Sequence, residues 1–284
     1  MAKQKLLLVD GSSLAFRAFF SILDLNRFKN ANGLHTNALY SFHRMFKSIL
    51  DSEKPTHVLV AWDAGKTTFR TEMYADYKGG RSKTPGEFIE QMPYFNVLLD
   101  AWGIPHYRLN QYEADDIIGT LAKQGEAAGY EVVVLSGDKD LIQLADNNIT
   151  VKITTKGVTE LVEYTPEVIF EKYGLTPEQI IDMKGLMGDS SDNYPGVTKV
   201  GEKTAVKLLQ EFGSVEGIYE HVDEMKKSKL KENLINDKEL AFLSKKLARI
   251  NVESPLEITL EDTLRKEQDV EALMAFYKEM NFNS

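Results

Sequence analysis

Residues 131–138 read EVVVLSGD. Four consecutive apolar residues, three of them β-branched, run into a Ser-Gly-Asp turn. A run this short and this apolar suits a strand buried on both faces, as in a parallel sheet. Two earlier stretches repeat it, KLLLVD (5–10) and HVLVAWD (57–63). Between and after them the spacing predicts helices at about 12–20, 36–50, 87–101 and 113–127. The alternation reads as an α/β domain with a largely parallel sheet. GIPHY (103–107) and ITVKI (149–153) are shorter strand candidates.

All three of these strands end in aspartate: Asp10, Asp63 and Asp138. One such Asp is an ordinary turn residue or helix cap. Three at the carboxyl edge of one parallel sheet converge where open α/β sheets bind ligands. Further acids gather in YEADDII (112–118), SGDKDL (136–141) and GDSSDN (188–193). They are Glu113, Asp115, Asp116, Asp140, Asp189 and Asp192. Oxygen-only ligation suits hard cations such as Mg²⁺ or Mn²⁺. Two such ions about 3.5–4 Å apart stabilise the attacking and leaving oxygens in phosphoryl chemistry. On this reading divalent metal neutralises the crowded acids of 112–116.

The 284 residues are 43% hydrophobic and 27% charged, enough for one large or two smaller domains. There is no cysteine, which excludes disulfides and thiolate metal sites. The five histidines show no paired ligand spacing. The apolar run at 6–9 is too short for a membrane span, and the default compartment is the cytoplasm. A net charge of −9 taken alone argues against nucleic acid, but its distribution is uneven. Residues 66–83 carry +3, residues 196–207 carry +2, and 226–231 read KKSKLK.

From about residue 163 the pattern changes to short helices, two of them opened by Thr-Pro-Glu. The boundary is expected near 165–175, dividing an α/β unit (1–170) from a helical unit (171–284). The stretch 64–86 is basic and aromatic without periodicity, and is expected to be a long mobile segment over the acidic edge. AGKTT (64–68) ends like a phosphate-binding loop, but Val60 stands where that loop needs glycine. GVTKVGEKTA (196–205) fails the same test at Glu202. It fits a helix–hairpin–helix instead, in which Gly196 and Gly201 permit a tight turn. The N–H groups opening the following helix can then face a phosphate. Lys199, Lys203, Lys207 and Thr204 would add to that contact without reading sequence.

At these motifs the chain resembles the 5′-nuclease (flap endonuclease) family, most closely the N-terminal 5′→3′ exonuclease domains of bacterial DNA polymerases I. The stretches LLLVDGSSLAFRAF, AWDAGKTTFR, YKGGR, YEADDIIGTLA, LSGDKDLIQL and GDSSDNYPGVTKVGEKTA carry the likeness in family order. The resemblance implies a three-layer PIN-like, Rossmann-like domain with a mobile arch at about 64–86. It also implies a helical DNA-binding domain with a helix-3-turn-helix hairpin at about 187–211. Two divalent ions are implied, one at Asp10, Asp63, Glu113, Asp115 and Asp116, the other at Asp138, Asp140, Asp189 and Asp192. Lys78 and Arg81 would contact the scissile or a neighbouring phosphate. Arg70 would steer the strand and Tyr77 would stack on a base. Gly196, Val197, Lys199, Gly201, Lys203, Thr204 and Lys207 would hold duplex backbone, with a monovalent ion such as K⁺ on the hairpin carbonyls.

The implied activity is two-metal hydrolysis of DNA at a 5′ end, flap or primer–template junction, in replication and repair, by a monomer. Two alternatives stay open: a catalytically silent DNA-binding scaffold of the same fold, and a ribonuclease of the related acidic-edge α/β class. The chain stops at YKEMNFNS, about where such a domain would pass into a linker before a polymerase. A free-standing nuclease and a piece of a longer polymerase are both compatible with that.

Overall fold

The computed structural model describes residues 3–155 and 160–282. Six strands form one sheet: β1 (Lys5–Asp10), β2 (His57–Trp62), β3 (His106–Arg108), β4 (Glu131–Ser136), β5 (Ile149–Thr154) and β6 (Leu161–Tyr164). Their order is β3-β2-β1-β4-β5-β6. The first five are mutually parallel, and β6 pairs antiparallel with β5. The helices in chain order are α1 (Gly11–Ser21), α2 (Asn37–Glu53), α3 (Phe69–Met73), α4 (Gly86–Ile89), α5 (Met92–Trp102) and α6 (Ala114–Ala127). After the sheet come α7 (Pro166–Tyr173), α8 (Pro177–Met187), α9 (Glu202–Phe212), α10 (Val215–His221), α11 (Lys229–Asn236), α12 (Lys238–Ala248) and α13 (Val270–Glu279).

The apolar runs divide by alternation between two cores. Leu6, Leu8, Val132 and Val134 face one side, where Ile117, Ile118 and Leu121 of α6 cover them. Leu7, Val9, Val133 and Leu135 face the other, under Leu14 of α1, Phe42 and Phe46 of α2 and Phe95 of α5. Each fully buried leucine of β1 contributes roughly 1.5–3 kcal/mol by leaving water. Gly11 lets α1 lie against β2, since a Cβ there would come within 2.7 Å of Val60 Cγ1.

The helical unit continues the first of these cores through Ile180, Met183, Leu208 and Ile218. The last helix does not join it. Leu273, Phe276 and Met280 lie in the second core with α2 and α5. Residues 265–269 lead there along the α/β unit, with Arg265 N on Thr56 O (3.0 Å) and Lys266 N on Gly103 O (2.9 Å). The expected helical unit of 171–284 is thus corrected at its end, because the apolar face of α13 fills a gap beside α5. No helix among the described residues is long and apolar enough to cross a membrane.

Candidate functional site

The strands that end in aspartate, β2, β1 and β4, are neighbours in the sheet. Strand order reverses between β1 and β4, which makes their carboxyl ends the topological switch point. Asp10 caps α1 there: its Oδ1 accepts from Ser13 N (3.1 Å) and its Oδ2 from the Ser136 hydroxyl (2.8 Å). Ser136 Oγ also accepts from Asp138 N (3.0 Å), and Ser13 Oγ accepts from Gly137 N (3.0 Å). Asp63 N donates to Ser12 Oγ (2.9 Å), and Asp63 Oδ1 accepts from Ala114 N (2.8 Å), which pins the start of α6. These serines were not anticipated as site residues, and only their position beside each Asp marks them in the sequence.

Asp10 is 3% exposed. Burial pushes its carboxyl up to about 7, and Asp63 adds to the rise. Asp115, in the first turn of α6, is raised well above the carboxylate range by burial and then by Asp10 and Asp138. Carboxylates so short of positive charge at one sheet edge suit a hard cation.

The crowded acids at 113 and 116 are neutralised differently. Arg70, only 2% exposed, forks onto Asp116 through Nη1 (2.7 Å) and Nη2 (2.8 Å), and Nη1 also pairs with Glu113. Its Nε donates to Leu247 O (3.0 Å) and its Nη2 to Arg249 O (2.7 Å). Asp116 further accepts from Glu113 N (3.2 Å) and Asn251 N (2.8 Å), which fills its acceptor positions. Lys78 Nζ pairs with Glu113, and the Tyr77 hydroxyl donates to it at 3.2 Å. For Lys78, burial works against the charge, but Glu113, Asp63 and Asp192 outweigh it and raise its pKa.

Three expectations are corrected here. Asp116 is the buried partner of Arg70 and has no lone pair left for a metal. Arg70 is a structural bolt joining α3, α6 and the end of α12, not a strand-steering cation. Tyr77 is 6% exposed, bonded to Glu113 and stacked 6.3 Å from Tyr194, so its ring has no free face for a base. The crowding at 112–116 is therefore answered largely within the chain, by a guanidinium and an ammonium.

The second expected acid set closes around Asp140, Asp189 and Asp192, whose carboxylate oxygens lie within 4.8 Å of one another. Asp138, the fourth, sits at the neighbouring strand end and accepts from Asp140 N (2.8 Å). Burial, then Asp138, pushes Asp140 up to about 7. Asp140 Oδ1 is buried without a hydrogen bond and has only a 3.3 Å ion pair to Lys184. Lys184 also reaches Asp189 Oδ2 (3.2 Å). The sequence reading missed this lysine, which stands five residues before Asp189. Asp189 Oδ1 shapes the turn by accepting from Ser191 N (2.9 Å), the Ser191 hydroxyl (2.6 Å) and Asp192 N (3.3 Å). An orphaned buried carboxylate oxygen among three acids fits an oxygen-liganded divalent cation.

The stretch 64–86 has more order than expected. Thr68 caps α3, and the turn 76–81 lies against the 189–194 turn. Lys78 N donates to Asp192 O (2.7 Å), and Asn193 Nδ2 donates to Asp76 O (2.8 Å). Arg81 pairs with Asp192 and gives its Nε to Ser191 O (3.3 Å).

In the hairpin, Gly196 takes φ +62°, and a Cβ there would meet Gly188 N at 2.3 Å. Gly201 has φ −101° and open space around it, so the turn does not require glycine there. It is the N-cap of α9 and offers no side-chain cap, which leaves the first N–H groups available. Lys199, Lys203 and Lys207 are exposed and Thr204 is half-buried. Val197 is 2% exposed in the core, so it supports the hairpin from inside and its side chain does not face DNA.

A parallel sheet with an acidic switch point, a second acid cluster on a helical unit and a basic hairpin together define a nucleic-acid-processing architecture whose carboxylates suit divalent cations. The family described as "5'-3' exonuclease, N-terminal resolvase-like domain" matches residues 5–174, and "5'-3' exonuclease, C-terminal SAM fold" matches 175–271. The chain belongs to the 5′-3′ exonuclease family. It is 62% identical over 284 residues to DNA polymerase I of Lactococcus lactis subsp. cremoris, covering 99% of this chain and 32% of that protein. The chain thus spans about a third of the length of the curated relatives it matches. Among solved structures it resembles the T5 D15 protein co-crystallised with metal ions (TM-score 0.72, 25% identity, 98% of each chain). It also shares its fold with the catalytic core of Rad2 in complex with DNA substrate (TM-score 0.65, 17% identity, 99% of this chain and 89% of that one).

Proposed function

We propose that the chain is a structure-specific 5′-nuclease that hydrolyses DNA phosphodiester bonds at 5′ ends and flaps in replication and repair. The observation that carries this reading is the convergence of Asp10, Asp63, Asp115 and Asp138 at one sheet edge, facing the Asp140–Asp189–Asp192 cluster. Mg²⁺, or Mn²⁺ in its place, would be held by these seven carboxylates, with Glu113 at the margin. When bound, such ions activate water and offset charge on the transferring phosphoryl group.

The chain's own residues account for the rest. Ser13 N and the Ser136 hydroxyl hold the Asp10 carboxylate, while Ser12 and Ser136 hold the backbone N–H groups of Asp63 and Asp138, which fixes the strand ends that carry the acids. Lys78 and Arg81 are cations within reach of the edge and suit a phosphate presented there. The α9 N–H groups with Lys199, Lys203 and Lys207 hold duplex backbone, which orients the junction without reading bases. The basic 64–86 stretch borders the single-stranded side. Kinship with DNA polymerases I supports a setting in which the nuclease acts beside, or fused to, a polymerase.

The test uses a 5′-flap DNA labelled in the flap, with parent chain and Asp138→Asn, in Mg²⁺ or EDTA. Release near the junction by the parent only with Mg²⁺, and far slower release by the variant, is expected. Binding without cleavage in both Mg²⁺ and Mn²⁺ would leave a DNA-binding scaffold as the reading. Faster cleavage of the matching RNA flap would point to a ribonuclease.

A further inference from the structure

The tip of the basic hairpin is held from outside the hairpin. Val200 N closes the turn 197–200 on Val197 O (3.1 Å). Val197 and Val200 are buried, which leaves Thr198 and Lys199 as the exposed tip. Lys199 stands at φ +63°, a left-handed conformation unfavourable for a residue with a Cβ. Three side chains from the helices that follow grip this tip. Asp237, at the joint between α11 and α12, accepts from Thr198 N at Oδ2 (2.8 Å). Asn233, one turn earlier on α11, donates from Nδ2 to Thr198 O (3.2 Å). Ser244 of α12, with no exposed surface, accepts from Gly196 N at Oγ (2.9 Å).

Thr198 is therefore held by both of its backbone polar groups. Its N–H belongs to the peptide before it and its C=O to the peptide after it, so neither peptide is free to rotate and the path into Lys199 is set. The Thr198 N–H is also used up within the protein. That leaves phosphate to the first N–H groups of α9, whose N-cap Gly201 follows two residues after Lys199. Their aim follows from the tip. Donors fixed before binding lose less freedom when they bind, and a small swing of the turn would carry them off a phosphate. Hydrogen bonding from Thr198 holds the Asp237 pKa below the usual carboxylate range, so the acid stays charged beside a face that suits phosphates. Its charge opposes an anion; what it supplies is position.

We infer that Asn233 and Asp237 are positioning residues for duplex DNA: they lock Thr198 from both sides so that the N–H groups opening α9 face the phosphate backbone. The working unit of the hairpin then extends beyond 187–211 to the joint between α11 and α12. The inference rests on the reading above that the hairpin holds duplex backbone.

The test is binding of the whole chain to a labelled duplex closed by loops at both ends, which offers no 5′ end to cut, followed by fluorescence anisotropy in Mg²⁺. Asp237→Asn keeps an acceptor for Thr198 N, and Asp237→Ala does not. Both remove the same negative charge, so the ratio of their affinities reads the hydrogen bond alone. The Asn variant is expected to bind at least as tightly as the parent. The Ala variant is expected to bind about fivefold more weakly than the Asn variant, the worth of one hydrogen bond. Their salt slopes should agree, because no phosphate contact is removed. Asn233→Ala, which changes no charge, should bind about threefold more weakly than the parent. Circular dichroism and Tm establish that each variant folds. Equal duplex affinities for folded Asp237→Ala and Asp237→Asn overturn the positioning role, whatever their Tm values, and leave the nuclease reading standing. A parent chain that binds no duplex overturns the reading of the hairpin and the positioning role with it.

Discussion

Replacing Arg70 by methionine separates two views of this residue. Methionine keeps much of the aliphatic volume and removes the guanidinium. Asp116, with no exposed surface, loses both arms of a fork, Glu113 loses one of its two cations, and two carbonyls lose their donors. Removing one partner of a buried ion pair costs about 3–5 kcal/mol, because the other charge stays buried. Each orphaned carbonyl adds about 1 kcal/mol. Local relaxation and water entry reduce the sum, so about 5 kcal/mol is the expected loss. For a chain of this size that lowers Tm by about 10–20 °C. Thermal unfolding by circular dichroism measures it. The double variant Arg70→Met with Asp116→Leu should recover a good part of the loss, since Glu113 keeps Lys78. A single variant melting within about 2 °C of the parent, with flap binding weakened and its salt slope reduced by about one, would refute the buried bolt. Arg70 would then be a phosphate contact.

Asp10 and Asp140, both raised to about 7, make stability depend on pH. An acid whose folded pKa exceeds its unfolded one favours folding when protonated, and that advantage shrinks as pH rises from about 4 to 7. Tm in EDTA is expected to fall between pH 5 and 8, and Mg²⁺ should reverse the fall; a rising Tm over that range in EDTA would contradict it. Below about pH 4.5 the depressed Glu113 and Asp189 act with opposite sign, and stability should drop as they protonate. Gly196→Ala, forced into φ +62° with Leu186 O at 2.7 Å from the new Cβ, should lower Tm by several degrees and weaken duplex binding. Intact binding in that variant would show that the hairpin tolerates a different path.

The sheet and its acidic edge were legible because two-residue alternation and strand-end aspartates are local signals. β1, β2 and β4 fall within a residue or two of their expected limits. The shorter elements were blurred by turn chemistry. β3 begins at His106, because Gly103 at φ +73° still closes α5. The helix expected over 87–101 breaks at Gln91, whose buried side chain accepts from Ala38 N (3.0 Å) and Leu39 N (3.2 Å) to secure the start of α2. What the sequence could not disclose was which cation meets which acid. Arg70 finds Asp116, and Lys184 finds Asp140, across folds of chain that no local pattern encodes. A basic residue in a flexible-looking stretch reads as substrate-facing until burial shows otherwise.

The return of α13 to the α/β unit bears on how the chain is made. Trp102 and Phe46 belong to a core that Leu273, Phe276 and Met280 complete. During synthesis the first unit cannot close that core until residues 273–280 have emerged, so its final packing waits on contacts of great sequence separation. A ribosome-bound chain ending near residue 255 should display the aromatic face of α2 and α5 to chaperones. A single cut between the two units should not separate them, because the tail of the second is built into the first.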